Sequence, residues 1–405
     1  MATTQEATAP EPRSVDVSIV MPCLDEEQTL GICVATAWKA LAELKRRHGL
    51  EGEIVVADNG STDASIRIAE DAGARVVAIG ERGYGNALRG GIAGARGSYV
   101  VMGDSDCSYD FMEAVAMVER LLDGYDLCMG SRFKGTIMPG AMPWKNRHIG
   151  NPALTGILNL FFGAGMSDAH CGMRAFTRGA FGRLQLSSEG MEFASEMVIK
   201  AALLKLRTTE VPVTLHPDRR DRPPHLKPWH DGWRHLRYLL MLSPAWLFFL
   251  PSAILFGIGV TLFSTLLVSR SVEVIHVGPL WFGDHWMILS GAMLAMSHQG
   301  ALCGAATLIY GVRSGYRRLG PMGRALMRLT RLEYMLLAGI AAIAVSAAIL
   351  LSVIASWSAE DYGALQAIRE MVAVTTFAML GLQNIFGGFL LSIVRGNRAR
   401  VITPF

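Results

Sequence analysis

The chain of 405 residues is 51% hydrophobic and 18% charged, and its formal net charge is +3. Soluble globular proteins carry about 25% charged residues, so this composition predicts that part of the chain lies in a membrane. The small net charge gives no indication of nucleic-acid binding. The six cysteines form no CxxC pair, which argues against a zinc site and against a disulfide framework.

The chain begins with a polar segment and continues with alternating strands and helices. Residues 1–14 lack a basic region followed by an apolar run, so they are predicted to be a short disordered leader rather than a signal peptide. The alternation that follows predicts an α/β domain with a mostly parallel sheet over residues 15–225. The predicted strands are 15–22, 53–58, 75–79, 98–104 and 126–131, and the predicted helices include 26–49 and 84–96.

Polar side chains follow several of these strands. Ligands of such sheets bind at the carboxyl ends of the strands. Asp58 alone is most often a turn or cap residue, but Ser61 or Thr62 is available to cap the next helix, which would leave Asp58 for a ligand. The residues predicted at this edge are Pro22 and Glu26 after the first strand, Asp58 after the second, Asp104 and Asp106 after the fourth, and Arg132 after the fifth.

Asp104-Ser105-Asp106 has two interpretations. Alone, the pattern is often an acidic turn. At a rigid strand end, however, one or two carboxylates suit a Mg²⁺ or Mn²⁺ ion that bridges a diphosphate. The earlier Asp58 and the basic residues that follow favour the metal hypothesis.

Gly83 and Gly85 resemble part of a dinucleotide fingerprint. They follow the third strand and lack the full GxGxxG spacing. A tight turn that brings the backbone near a nucleotide is the better hypothesis.

Basic residues lie between the acidic motif and the apolar half. Arg132 and Arg147 could be surface arginines, or together they could form a fork for a phosphate. The segment 216–227 contains Arg219, Arg220, Arg222 and Lys227, for which anchoring to anionic lipid is an equally good explanation.

Two further segments have the character of interfacial helices. Residues 226–243 are predicted to form a juxtamembrane amphipathic helix. Its apolar face would carry Trp229, Trp233, Leu236 and Leu240. The apolar segment 151–163 is either buried in the domain core or faces lipid beside an acceptor site.

Residues 244–405 are predicted to be a transmembrane domain. The four spans are 245–269, 286–311, 335–357 and 371–394, and none contains a charged residue. Arginines concentrate in 312–334 and after 394, so the positive-inside rule places both termini and the first domain in the cytoplasm. His298 and Gln299 lie within the second span and predict either an interhelical hydrogen bond or a functional site.

Seven motifs together resemble family 2 of the glycosyltransferases, which have the GT-A fold. The resemblance is greatest to the polyprenyl-phosphate glycosyltransferases, the dolichol-phosphate mannose synthase group. The motifs are "MPCLDEE", "ADNGSTD", "GYGNA", "DSD", "GSRF", "CGMRAF" and the basic segment before the membrane.

This resemblance implies roles for individual residues. Pro22, Glu26 and Asp58 would contact the nucleotide beside the turn that contains Gly83, Gly85 and Ala87. Asp104 would help to hold nucleotide and metal, with Asp106 as the principal ligand and Ser108 where a third ligand often stands. Arg132, Arg147 and Asn151 would bind the acceptor phosphate, and Arg219 would bind the donor diphosphate. Three departures from the family pattern are Asn59 in place of an acidic residue, Ser108 in place of a glutamine, and His225 in place of a lysine.

The sequence therefore predicts an inverting, metal-dependent membrane enzyme. It would move a sugar from a UDP- or GDP-linked donor to a polyprenyl phosphate, with Mg²⁺ or Mn²⁺ as cofactor, and could form a homo-oligomer. Transfer to a hydroxyl acceptor is an alternative that needs a base, for which Asp110 and Glu192 are candidates. A non-catalytic membrane scaffold is the third alternative.

Overall fold

The computed structural model describes residues 15–219, 228–268, 275–277, 280–313 and 319–396. The chain divides into two compact units, Met1–Leu239 and Leu240–Phe405. The predicted leader 1–14, the basic residues Arg220, Arg222 and Lys227, the position of His225 and the side chain of Trp229 lie outside the described residues.

The first unit is built on a seven-stranded sheet with the order β3-β2-β1-β4-β6-β5-β7. The pairs β1–β2, β1–β4, β2–β3 and β5–β7 are parallel, whereas β6 runs antiparallel to both of its neighbours. The strands are β1 Val17–Cys23, β2 Gly52–Asp58, β3 Arg75–Ala78, β4 Tyr99–Met102, β5 Leu127–Ile137, β6 Arg174–Thr177 and β7 Thr208–Leu215.

Helices cover this sheet. Apolar side chains of β1 and β2 are buried on both faces of the sheet, as is typical of central parallel strands. One core cluster joins α1 and α4 to this sheet through residues such as Leu44, Met21 and Met117. The helices are α1 Leu30–His48, α2 Ser65–Asp71, α3 Tyr84–Gly94, α4 Ala114–Leu122, α5 Asn151–Phe162, α6 Arg178–Leu184, α7 Phe193–Leu203 and α8 Pro228–Met241.

The first helix begins later than predicted. Its acidic start was placed at Glu26, but α1 begins at Leu30 and has no acidic residue in its first turn. Asp25 has a left-handed φ of 56°, and the Glu26 N–H donates to Ser65 Oγ at 2.8 Å. These contacts hold Glu26 in the connection at the carboxyl end of β1, and not within the helix.

The fifth strand is longer than predicted. It continues to Ile137, so Arg132 lies inside β5 and not after it. The pairing of β5 with β7 changes register between Ser131 and Thr136. Arg132 therefore lies where the β5–β7 hydrogen-bond ladder is interrupted. Such an irregularity changes the direction of the side chains next to it.

The second unit contains four helices that are long and apolar enough to cross a membrane, Ala245–Val268, Asp284–Arg313, Leu332–Ala359 and Ile368–Gly396. They coincide with the predicted spans over the described residues. The first contains α9 Leu250–Val268, and the others are α10, α12 and α13. The short helix α11 Pro321–Leu329 and the hairpin strands β8 Ile275–Val277 and β9 Leu280–Phe282 complete this unit.

Polar contacts join the helices of the second unit. His298 Nδ1 and Gln383 Oε1 are 2.9 Å apart, which is the interhelical hydrogen bond that the sequence offered as the simpler alternative. Gln299 instead contacts Cys303 on its own helix. Arg369 donates to Asp284 Oδ1 at 2.7 Å and to the Leu266 carbonyl at 3.2 Å, so it links three helices. The chain therefore has the predicted architecture of an α/β domain followed by four apolar helices.

Candidate active site

The acidic motif lies in the turn that follows β4. Ser105 Oγ donates to the Pro22 carbonyl at 2.7 Å, which ties the turn to the end of β1. The Ser108 N–H donates to Asp106 Oδ1 at 3.0 Å and orients that carboxylate. Asp106 is 9% exposed and Ser108 is 8% exposed. The turn is therefore a braced structure at the carboxyl edge of the sheet.

Asp104 is positioned by two segments that are distant in sequence. The Tyr84 hydroxyl donates to Asp104 Oδ1 at 2.9 Å, and burial raises the pKa of Tyr84 well above its ordinary value. Gly172 lies against the other oxygen, because a Cβ there would be 2.5 Å from Asp104 Oδ2. The Gly172 N–H donates to the Tyr109 hydroxyl at 3.0 Å. Sequence reasoning missed Tyr84 and Gly172 as determinants of this site.

Asp58 is buried at the end of β2, with 4% of its surface exposed. Its carboxylate accepts the N–H groups of Gly60 and Ser61, each at 3.1 Å. The expectation that Ser61 or Thr62 caps the next helix was wrong, because α2 begins at Ser65 and its N-cap is Ala64. Asp58 thus organises its own turn, since a short carboxylate readily accepts from backbone N–H groups two residues on.

Asn59 holds the glycine turn in place. Its Oδ1 accepts the Gly83 N–H at 2.7 Å, and its Nδ2 donates to the Glu81 carbonyl at 2.7 Å. A carboxylate cannot donate the second of these bonds. The unusual Asn59, noted in the sequence only as a departure, therefore has a structural reason.

Gly83 and Gly85 are required by a close backbone approach. A Cβ on Gly83 would lie 2.4 Å from the Glu189 carbonyl oxygen, and a Cβ on Gly85 would lie 2.3 Å from that of Ser188. The Gly85 N–H donates to the Glu189 carbonyl at 2.8 Å. The close partner of these glycines is thus the backbone at 188–189. Ala87 follows in α3 and is 2% exposed.

Glu26 lies near the end of β1 and is 6% exposed. Thr29 Oγ1 donates to Glu26 Oε2 at 3.3 Å. Pro22 pairs with Ala57 and Cys23 with Asp58, so the ends of β1 and β2 are in register. The structure therefore brings Pro22, Glu26, Asp58 and the acidic turn to one edge of the sheet.

Arg132 forms a buried ion pair that the sequence did not indicate. Its Nε and Nη2 donate to the two carboxylate oxygens of Asp168 at 2.7 and 2.8 Å, and its backbone N–H donates at 3.0 Å. Asp168 is fully buried. Burial alone would raise the pKa of Asp168, but the hydrogen bonds and charge of Arg132 lower it below its ordinary value. About 10% of the Arg132 side chain remains exposed.

The segment after Asp168 is fixed by a buried arginine. Arg174 is fully buried. It donates to the carbonyls of Cys171, Ala194 and Ala169 at 2.9, 2.7 and 3.1 Å. The arginine of the "CGMRAF" motif therefore ties the loop that carries Gly172 to the start of α7.

Arg147 and Asn151 lie one helical turn apart. Arg147 is exposed, and Asn151 Nδ2 contacts Met142 Sδ at 3.4 Å. In α5, only Thr155 and Leu158 are buried, and Leu160 is 62% exposed. Core burial of 151–163 is therefore wrong for most of this segment. Arg132 is held by Asp168, and the described residues show no hydrogen bond that joins it to Arg147 or Asn151.

Arg219 is the last described residue before the basic segment. Its N–H donates to the Asp106 carbonyl at 3.4 Å. The His216 N–H donates to the Ser108 carbonyl at 2.9 Å. The chain after β7 thus runs directly beside the acidic turn, and the Arg219 side chain is exposed.

The two candidate bases have local partners. Asp110 Oδ1 accepts the Met112 N–H at 2.9 Å and caps a helical turn. Glu192 Oε2 lies 3.7 Å from Arg234 Nε on α8. On the same helix, His235 Nδ1 is 2.8 Å from Ser195 Oγ. The face of α8 that packs on the first unit contains His235 and Leu239, whereas Trp233 is 58% exposed.

Asp104 and Asp106 are the acidic pair that the sequence predicts to hold a metal ion. Over the described residues, no group of three or more His, Cys, Asp or Glu side chains could hold one. Mg²⁺ is typically bound by one or two carboxylates together with substrate phosphates and water. Gly172 approaches Asp104 Oδ2 so closely that a Cβ there would lie 2.5 Å from this oxygen and displace it. The donor set therefore fits a divalent ion that shares its shell with a diphosphate.

Comparison with known proteins identifies glycosyltransferases as relatives of this chain. Residues 18–184 match glycosyl transferase family 2, and residues 305–395 match the glycosyltransferase family 2 C-terminal transmembrane region. The chain is 36% identical to the low-salt glycan biosynthesis hexosyltransferase Agl6 of Haloferax volcanii, over 93% of this chain and 88% of that protein. It is 31% identical to a dolichyl-phosphate hexose transferase of the same organism, over 49% and 82%.

Among solved structures, glucosyl-3-phosphoglycerate synthase from Mycobacterium tuberculosis is 23% identical, with a TM-score of 0.42 over 56% of this chain and 78% of that chain. The two family models match the first unit and the apolar helices, respectively. The strand-end carboxylates lie within the first matched region, and three of the four apolar helices overlap the second. The protein is therefore a membrane protein that belongs to glycosyltransferase family 2.

Proposed function

We propose that this glycosyltransferase moves a sugar from a nucleoside diphosphate sugar to the phosphate of a polyprenyl phosphate, with inversion at the anomeric carbon. The observation that carries this proposal is the braced acidic turn. Asp104 is held by Tyr84 and Asp106 by the Ser108 N–H, at the strand edge where Asp58 also lies. Such preorganised carboxylates suit a divalent ion that accompanies an anionic donor, because they need little rearrangement when the ion binds.

The donor would bind along the ends of β1, β2 and β4. Pro22, Glu26 and Asp58 would contact the nucleotide, with the turn from Gly83 through Gly85 to Ala87 beside them. Their buried positions, with Glu26 6% and Asp58 4% exposed, support a site that excludes water. Arg219, whose backbone lies beside Asp106, would bind the donor diphosphate.

Asp106 and Asp104 would hold Mg²⁺ or Mn²⁺, with Ser108 as a further candidate ligand. When bound, such an ion neutralises negative charge on the leaving nucleoside diphosphate. The chain itself would supply orientation. The Ser108 N–H and the Tyr84 hydroxyl keep the two carboxylates in fixed directions.

The acceptor phosphate would be bound by Arg132, Arg147 and Asn151. Arg132 is already paired with Asp168, so it would meet a phosphate only through its exposed edge. Exposed apolar side chains occur in the same stretch of chain as Arg147, namely Trp144 (66% exposed), Ile149 (57%) and Leu160 (62%). An apolar surface next to a cation suits a lipid that ends in a phosphate. The relative named as a dolichyl-phosphate hexose transferase supports this class of acceptor.

The reaction would be a single displacement. A phosphate oxygen attacks the anomeric carbon, and the bond to the nucleoside diphosphate breaks. An acceptor phosphate is already anionic near pH 7, so no general base is required. The arginines would offset the repulsion between two anionic reactants, and positioning would supply much of the acceleration.

The first unit and both termini would lie in the cytoplasm. The described arginines Arg313, Arg324, Arg328 and Arg331 lie between the second and third spans, and Arg395 lies at the end of the fourth. Loops that carry an excess of positive residues face the cytoplasm. Labelling of single cysteines introduced at 360 and 326 with a membrane-impermeant reagent tests this topology, since only the first position should react from outside intact cells.

Transfer assays with the purified full chain test the reaction. UDP- and GDP-linked sugars are offered with Mn²⁺ or Mg²⁺ to polyprenyl phosphate and, in parallel, to polyprenol. Product on polyprenyl phosphate alone supports the proposal. Product on polyprenol alone would contradict it and favour a hydroxyl acceptor.

The variant Asp106→Asn tests the metal role. It should lower turnover by on the order of a hundredfold or more, because the principal carboxylate is neutralised. Asp123→Asn is the matched control, since Asp123 is an exposed carboxylate at the end of α4. Normal metal-dependent turnover by Asp106→Asn would refute the assignment of Asp106 as the principal ligand.

A further inference from the structure

Two cysteine side chains meet directly behind the acidic turn. Cys33 Sγ and Cys107 Sγ are 3.6 Å apart, although the residues are 74 positions apart in sequence. Cys33 lies on α1 and is 3% exposed. Cys107 follows Asp106 immediately and is partly exposed. One thiol is thus anchored in the core, and the other lies on the turn within reach of solvent.

The backbone of Cys107 is part of the arrangement that orients Asp106. Cys107 has a left-handed φ of 63°, a conformation that is uncommon for residues with a Cβ. The N–H of the next residue, Ser108, donates to Oδ1 of the preceding residue, Asp106, at 3.0 Å. The Asp106 carboxylate and its donor therefore lie on either side of Cys107, and a displacement of Cys107 changes how that carboxylate points.

We propose that Cys33 and Cys107 form a redox-modification site in which a disulfide switches off the acidic turn. A peroxide or a low-molecular-weight disulfide would be the oxidant. With a disulfide, the Cys107 thiolate attacks one sulfur and releases a thiol, and Cys33 then attacks the mixed disulfide at Cys107 and releases the second thiol. The two cysteines lose two electrons and two protons, and the oxidant gains them.

The bond requires movement at the turn. A disulfide has a sulfur–sulfur distance of about 2.05 Å, so the two sulfur atoms must approach by about 1.5 Å. Cys33 packs in the core cluster, which resists displacement. Cys107 has less packing around it, so the turn moves toward α1 and Asp106 moves with it. A misplacement of about 1 Å at a reacting group can lower a rate by on the order of a hundredfold.

Other thiols of the chain differ in accessibility. Cys23 is 2% exposed, and Cys128 and Cys171 are fully buried. Cys303 is partly exposed, but it lies on α10 in the second unit. An oxidant that enters at Cys107 therefore finds Cys33 as the neighbouring thiol. In a reducing compartment, such a bond would be transient, as regulatory disulfides are.

Mass spectrometry of the full chain tests the bond itself. The purified protein is treated with oxidised glutathione, alkylated and digested. We expect a cross-linked peptide that contains Cys33 and Cys107 and has lost two hydrogens. The bond should be absent from Cys33→Ala and Cys107→Ser and present in the control Cys303→Ser. A stable glutathione adduct on Cys107 with no cross-link would overturn the proposal.

The consequence rests on the proposed function and has its own measurements. Oxidation should lower Mn²⁺-dependent binding of UDP or GDP and lower transfer by roughly a hundredfold, and dithiothreitol should restore both. Cys33→Ala and Cys107→Ser should resist this loss. A complete cross-link that leaves nucleotide binding unchanged would refute the switch. If no sugar is transferred under any condition, the proposed function fails, while the cross-link and the binding measurement still decide the redox inference.

Discussion

The ion pair between Arg132 and Asp168 provides a strong quantitative test of the site. Asp168→Asn keeps the shape of the side chain and removes its charge. Asp168 is fully buried, and three donors of Arg132 converge on its two oxygens within 3.0 Å. In the variant, an amide NH₂ faces one of these donors, and the buried guanidinium loses its counter-charge.

The expected loss of stability follows from this geometry. Removing one partner of a buried ion pair costs about 3–5 kcal/mol. The asparagine oxygen still accepts one bond, so we expect about 3 kcal/mol. For a unit of roughly 200 residues, each kcal/mol lowers Tm by about 2–4 °C, which gives a decrease of about 6–12 °C. Binding of the acceptor should weaken as well, because the exposed edge of Arg132 is no longer held in place.

The pH dependence has a definite sign. The pKa of Asp168 is lowered in the folded state, against the effect of burial, by Arg132. A carboxyl with a lowered pKa contributes stability above its unfolded pKa of about 3.9, and this contribution is lost as the pH falls through its folded pKa. The difference in Tm between wild type and Asp168→Asn should therefore be full at pH 7 and should narrow below about pH 4.

The loss of stability in Asp168→Asn is measured by thermal unfolding of the full chain. Pulse proteolysis reports at each temperature how much of the first unit is unfolded. Asp123→Asn is the matched control, because its pair with Arg120 is exposed and should contribute at most about 1 kcal/mol. The double variant Arg132→Met with Asp168→Leu should recover stability but not transfer activity. If Asp168→Asn loses no more stability than Asp123→Asn, the reasoning is refuted.

Three further predictions concern residues around the acidic turn. Asn59→Asp should lower the free energy of unfolding by about 1–3 kcal/mol, because a carboxylate cannot donate the hydrogen bond that Asn59 Nδ2 makes to the Glu81 carbonyl. An unchanged Tm together with an unchanged KM for the donor sugar would contradict this prediction. Gly172→Ala should reduce metal-dependent turnover, since its Cβ would lie 2.5 Å from Asp104 Oδ2, whereas Gly179→Ala, with open space around its Cβ, should have no effect. Burial lowers the pKa of His170 to about 3, so stability should fall by about 2 kcal/mol as the pH drops from 6.5 to 5, and His170→Gln should flatten that slope.

Much of the architecture was predictable because it follows from local patterns. The four long helices follow from composition alone, since runs of about 20 apolar residues have few other uses. Alternating apolar strands and mixed helices predicted the mostly parallel sheet. Short strands were harder: β6 runs antiparallel between β4 and β5, and its four residues carry no periodicity that separates a strand from a loop.

Parts of the site were also predictable, because residues that follow parallel strands meet at one edge of the sheet. That rule placed Asp58 and Asp104 together. It failed for Arg132, since nothing in the local pattern shows that β5 continues past it. The role of Ser61 was wrong for a similar reason: its hydroxyl accepts the N–H of Asp25, 36 positions away.

The sequence by itself thus determined the membrane half, the α/β class and the acidic turn, because each depends on residues close together in the chain. Only the tertiary structure decided what each polar group contacts. Tyr84 reaches Asp104, Asp168 neutralises Arg132, and Cys33 meets Cys107 across separations of 20, 36 and 74 residues. A buried charge or hydroxyl must find a partner, but which partner it finds depends on how the chain packs, and no local pattern records that choice.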